Sequence, residues 1–72
     1  VQTNINVTQK TPLNKIDGAM EQLETVTKEG YNHIVRYSGT ENKLRLLVEG
    51  SDKQKAQKLL NDLVKFFKSK LG

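Results

Sequence analysis

The hydrophobic period of the chain changes at Gly50. Before it, Leu44, Leu46 and Val48 alternate with Arg45, Leu47 and Glu49. A period of two is that of a strand with one buried face. After it, Ala56, Leu59, Leu60, Leu63, Val64 and Phe67 recur at steps of three and one, which is one stripe of a helix. Ser51-Asp52-Lys53-Gln54 has the Ser-x-x-Gln form of a capping box and sets the start of that helix. An apolar strand face and an apolar helix stripe joined by so short a turn have to bury against the same core. That requires a layered α-on-β domain.

The N-terminal half supplies the remaining elements. Residues 3–9 alternate, with Ile5 and Val7 on one face and Asn4, Asn6 and Thr8 on the other, which predicts a half-buried strand. Thr11-Pro12 ends it, because proline lacks the ladder donor. Leu13, Ile16, Met20, Leu23 and Val26 predict a helix over residues 13–29, with Met20 in the core. Asp17-Gly18 weakens its first turn, and Gly30 is placed to cap its end in a left-handed conformation. Residues 31–37 read as a second strand, joined to 43–49 as a hairpin with a longer connection. The order is β-α-β-β-α. The expected class is α+β, a mostly antiparallel sheet with two helices on one face.

Composition removes several function classes. Seventy-two residues allow one small domain, 1–72. With no cysteine and one histidine, thiolate and histidine-rich metal sites are excluded, and no cofactor is expected in these residues. No apolar run reaches the ~20 residues of a membrane span, and no signal-peptide pattern is present. The lack of cysteine leans toward the cytosol, so a cytoplasmic location is expected. A chain that begins at Val1 is expected to be one piece of a larger protein. The net charge of +4 permits an anionic partner without requiring one. Lys58, Lys65, Lys68 and Lys70 are accounted for as a solvated helix face that suits the negative helix C-terminus.

Arginine is more selective. Ten of the twelve basic residues are lysine, and the two arginines, Arg36 and Arg45, bracket Ser38-Gly39-Thr40. Guanidinium is a planar fork that matches phosphate bidentately, which an ammonium cannot do. Ser38 and Thr40 offer hydroxyl donors. Gly39 is expected to turn with φ > 0 and let peptide N–H groups approach an anion. Arg36 shares a strand face with Ile34, and Arg45 lies opposite the Leu44-Leu46-Val48 face, so a hairpin could bring both to one mouth, with Lys43 adding a point charge.

Other readings compete. The arginines could simply pair with Glu41 and Glu49. A small nucleic-acid-binding module would use the same loop on RNA backbone, but Tyr31, Tyr37, Phe66 and Phe67 are too few for a stacking platform, since Phe67 belongs to the core stripe. An assembly domain is a third reading. Phe66 is expected to face a neighbouring domain, since Phe67 already serves the core stripe. His33 has no Cys, Asp or His partner nearby in sequence and reads as a structural or surface residue.

The string Arg36-x-Ser38-Gly39-Thr40-Glu41, then Arg45 and Val48-Glu49-Gly50, resembles the C-terminal phosphate-binding domain of the α-D-phosphohexomutase superfamily, most of all its bacterial phosphoglucosamine mutase branch. The likeness spans residues 36–50, with Asn42 where that branch has proline. Asn6-Val7, Lys10 and Pro12-Leu13 are similar to the entry into the same domain. The resemblance implies a TATA-binding-protein-like fold and a loop that grips the non-reacting phosphate of a hexose phosphate, with inorganic phosphate as a simpler ligand. It assigns Arg36, Ser38, Gly39, Thr40 and Arg45 to the phosphate. Glu41, Asn42 and Lys43 support the loop, Glu41 by orienting an arginine or capping the turn. Catalytic residues and Mg²⁺ are expected in other domains of the parent enzyme. Phosphomannomutase and phosphoglucomutase are the neighbouring alternatives.

Overall fold

In the computed structural model, which describes residues 1–71, β3 (Lys43–Glu49) is the middle strand of a three-stranded sheet. It pairs antiparallel with β1 (Gln2–Asn6) on one side and with β2 (Asn32–Tyr37) on the other. The helices α1 (Ala19–Lys28) and α2 (Lys53–Leu71) complete the β-α-β-β-α order expected from the sequence. The sheet is wholly antiparallel, so a hairpin suffices between β2 and β3.

The period-two pattern of β3 sets the layering. Leu44, Leu46 and Val48 are fully buried, together with Ile5 and Val7 from the first strand segment. Ala56, Leu60, Leu63, Phe67 and Leu71 of α2 and Ala19, Leu23 and Val26 of α1 close the same core. Leu59 and Val64 flank the α2 stripe at half burial. Both helices cover one face of the sheet, and the face carrying Gln2, Asn4, Ile34, Arg36, Arg45 and Leu47 is left open.

Several boundaries differ from the sequence expectation. β1 ends at Asn6, earlier than residue 9, because the chain leaves β3's edge there. Val7 N–H then bonds Asn42 O at 2.9 Å and Thr8 N–H bonds Leu71 O at 2.9 Å. The helix expected over 13–29 is two pieces, a 3-10 turn at Leu13–Lys15 and α1 from Ala19. Gly18 between them has φ +84, which is left-handed and breaks the α-helix. Gly30 takes φ +82 at the helix end, as its position predicts.

That break re-phases the stripe. Met20 is 55% exposed rather than in the core, and Ala19, with no accessible surface, takes the buried position. The Ser51 box does not form either. Asp52 is the cap, its Oδ1 accepting from Gln54 N–H at 3.0 Å and Lys55 N–H at 3.3 Å. Phe66 is half-buried, edge-to-face on Phe67, and lies over Gly18.

Gly50 is needed for a different reason. A Cβ there would stand 2.1 Å from Cδ2 of Tyr31, whose buried ring lies against the glycine backbone. The Tyr31 hydroxyl donates to Asp52 O at 3.3 Å and accepts from Asp52 N–H at 3.2 Å. One buried tyrosine thus fixes the turn at which the sequence period changes.

Candidate anion site on the open sheet face

Arg36 and Arg45 are cross-strand partners in the β2–β3 register, and Arg45 is also opposite Asn4 of β1. Side chains directly opposite each other start about 4.5–5.5 Å apart and project from the same face. Asn4, Arg45 and Arg36 therefore form one row across the open face. Both arginines are exposed.

Neither arginine is neutralised among the described residues. The ion pairs there are Lys28–Glu24, Lys43–Glu41 and Lys55–Glu29. Glu41, expected to orient an arginine, instead meets Lys43 Nζ at 3.2 Å. Glu49 is four residues along β3 from Arg45, about 13 Å at the rise of a strand, which is beyond pairing distance. Arg45 donates from Nη2 to Gln2 Oε1 at 3.2 Å, a neutral acceptor. Pairing with Glu41 and Glu49, the plainest alternative for these arginines, does not occur.

The loop between the strands is closed from within. Ser38 N–H donates to Lys43 O at 3.0 Å. Ser38 Oγ accepts from Thr40 N–H at 3.3 Å and from Glu41 N–H at 3.2 Å, leaving its own O–H as a donor. The serine shapes the turn by bonding the backbone two and three residues on. Gly39 does not take the left-handed conformation expected of it. The Ser38 side chain holds the turn without it, and a Cβ at Gly39 would meet nothing within 4 Å. Asn42 turns its carbonyl to Val7 N–H at 2.9 Å, so the 42 position is fixed by a tertiary hydrogen bond.

A recess of about 270 Å³ lies at the end of this face, lined by Asn4, Arg36, Tyr37, Ser38, Glu41, Lys43 and Arg45. Its wall carries three cations against one carboxylate, and that carboxylate is already paired with Lys43. A second recess of about 170 Å³ adjoins it and shares both arginines, with Ile34 and Leu47 as its apolar floor. Gly39 and Thr40 are at the exposed tip and line neither recess. Tyr37 is half-buried beside the site. Its hydroxyl donates to Thr11 O at 2.5 Å, and burial raises its pKa above the ordinary phenol value. The sequence reading missed this tether, because it joins residues far apart in the chain.

Among the described residues, no three or more His, Cys, Asp or Glu side chains come together as a metal cluster. Among the described residues, no helix is long and apolar enough to cross a membrane. His33 is half-buried on β2, away from the loop.

The chain is 65% identical over all 72 residues to a phosphoglucosamine mutase of Nautilia profundicola, and 46% identical over 69 residues, 96% of the chain, to one of Nitratiruptor sp.. A phosphoglucosamine mutase of Helicobacter pylori is 38% identical over 68 residues, 94% of the chain. The chain spans only about 16% of the length of the first two relatives and 15% of the third. The family model described as phosphoglucomutase/phosphomannomutase, C-terminal domain, matches residues 3–66, and the chain belongs to that family.

Proposed function

We propose that residues 1–72 form the substrate-phosphate-binding domain of a phosphohexomutase, and that the parent enzyme interconverts the 6-phosphate and 1-phosphate of an amino sugar. The observation that carries this reading is the directly opposed pair Arg36 and Arg45, neither of them in an ion pair, beside the Ser38–Thr40 turn. Two guanidinium groups held side by side repel unless an anion lies between them. A phosphate monoester brings up to two charges and several acceptor oxygens. The names of the relatives support glucosamine phosphate as the sugar.

The geometry suits a mutase that works through a bisphosphate. One phosphate reacts while the other is held, and the intermediate then turns round. A grip built from charge and N–H or O–H donors recognises the phosphate and ignores the ring, so it accepts either end. Its binding energy serves orientation at a reacting centre in other domains. Magnesium and the phosphoryl-carrying group belong to those domains in this reading, and the 72-residue chain alone binds phosphate weakly and catalyses nothing.

The test is kinetic, in the full-length enzyme. Arg36→Ala or Arg45→Ala is expected to raise KM and to lower kcat/KM by roughly 1.5–3 kcal/mol, about ten- to a hundredfold, for each lost charge-assisted contact. Wild-type kinetics in both variants would refute the assignment.

A further inference from the structure

We propose that Lys10 is a positioning residue for the phosphate loop, an inference that rests on the phosphate-binding reading above. Lys10 Nζ donates to Ser38 O at 2.7 Å, across 28 positions of sequence. A trans peptide is planar, so the C=O of Ser38 and the N–H of Gly39 point in opposite directions. Holding that carbonyl on Lys10 turns the Gly39 N–H away from Lys10. Among the described residues this N–H has no hydrogen-bond acceptor. Lys10 lines neither recess, so it holds the peptide from outside them.

The tie is one of a set made by a single strap, residues 7–11. Val7 N–H holds Asn42 O at 2.9 Å, at the other end of the loop. Thr11 O accepts from the Tyr37 hydroxyl at the foot of the loop. Thr8 anchors the strap to the end of α2, with N–H and Oγ1 both on Leu71 O at 2.9 and 2.8 Å. Thr11 precedes Pro12, which confines it to extended backbone and stiffens the strap.

The physical consequence concerns two carbonyls. A peptide C=O facing a bound phosphate repels it, and an N–H attracts it. The strap engages the carbonyls of Ser38 and Asn42 with donors of its own, one of them charged. The Gly39 N–H is thereby left free for an anion, while those of Ser38, Thr40 and Glu41 are held within the loop. Lys10 acts through the Ser38–Gly39 peptide and does not touch the anion.

The test is a titration of the ¹⁵N-labelled chain with inorganic phosphate, followed by amide NMR. In the wild type, the Gly39 amide is expected to shift downfield. Lys10→Met should weaken phosphate binding by about fivefold, the size of one lost hydrogen bond, and abolish the Gly39 shift. Lys10→Arg, which can still donate to Ser38 O, should retain both. Unchanged affinity and an unchanged Gly39 shift in Lys10→Met overturn the positioning role while leaving phosphate binding intact. Weaker binding with the Gly39 shift preserved also overturns it, since Lys10 then acts only as charge. A wild-type chain whose amides at residues 36–45 ignore phosphate refutes the phosphate reading itself, and this inference with it.

Discussion

Arg36 and Arg45 face each other across the β2–β3 ladder with no carboxylate between them. Like charges directly opposite on a sheet are destabilising, by roughly 0.2–1 kcal/mol. The fold keeps them together on an open face, where Asn4 and Gln2 are their polar neighbours. Either arginine is therefore expected to be dispensable for stability. Arg36→Ala should change the stability of the chain by less than about 0.5 kcal/mol in either direction. Thermal melts with and without phosphate check the other half: phosphate should raise the wild-type Tm and leave that of the variant unmoved.

Asp52 and Ser51 are distinguishable by substitution. Asp52→Ala removes the acceptor for two N–H groups at the start of α2 and should cost about 1 kcal/mol in urea unfolding. Ser51→Ala should stay within about 0.5 kcal/mol, because Ser51 makes no side-chain cap. Equal losses would restore the capping box that the sequence suggests.

Gly50→Ala brings a methyl group into the Tyr31 ring, 2.1 Å from Cδ2. Overpacking of this kind typically costs ~1–3 kcal/mol. Removing the ring in a Gly50→Ala/Tyr31→Ala double variant should make the glycine substitution nearly neutral on the Tyr31→Ala background. A double-mutant cycle with no coupling would show that the clash is not the cause.

Tyr37 predicts an alkaline limb. Burial raises its pKa above 10.0, so the folded chain holds the phenolic proton more tightly than the unfolded chain. The stability this supplies is full below pH 10 and falls as the pH rises through the folded-state pKa. Tyr37→Phe should flatten that part of the stability–pH curve. Absorbance at the phenolate band, followed on the Tyr31→Phe background, should give a midpoint above that of free tyrosine.

The amino-acid sequence determined the element types and the two faces. Leu44, Leu46 and Val48 had to lie on one side of a strand, and Ala56, Leu60, Leu63 and Phe67 on one side of a helix, because side-chain periodicity is a local property of the backbone. The Arg36–Arg45 bracket was legible for the same reason: strand parity put Arg36 with Ile34 and Arg45 opposite the core face. Tertiary structure decided what those residues meet. The register that places Arg36 directly across from Arg45 is a pairing between strands. The partner of Glu41 is Lys43, and Met20 lost the core to Ala19 once Gly18 had broken the helix. The strap contacts of Val7, Lys10 and Thr11 on the loop join residues some 26–35 positions apart. Those ties carry no periodic signal in the sequence. Each exists only because folding β1 and β2 onto opposite sides of β3 brings the two segments within hydrogen-bond distance.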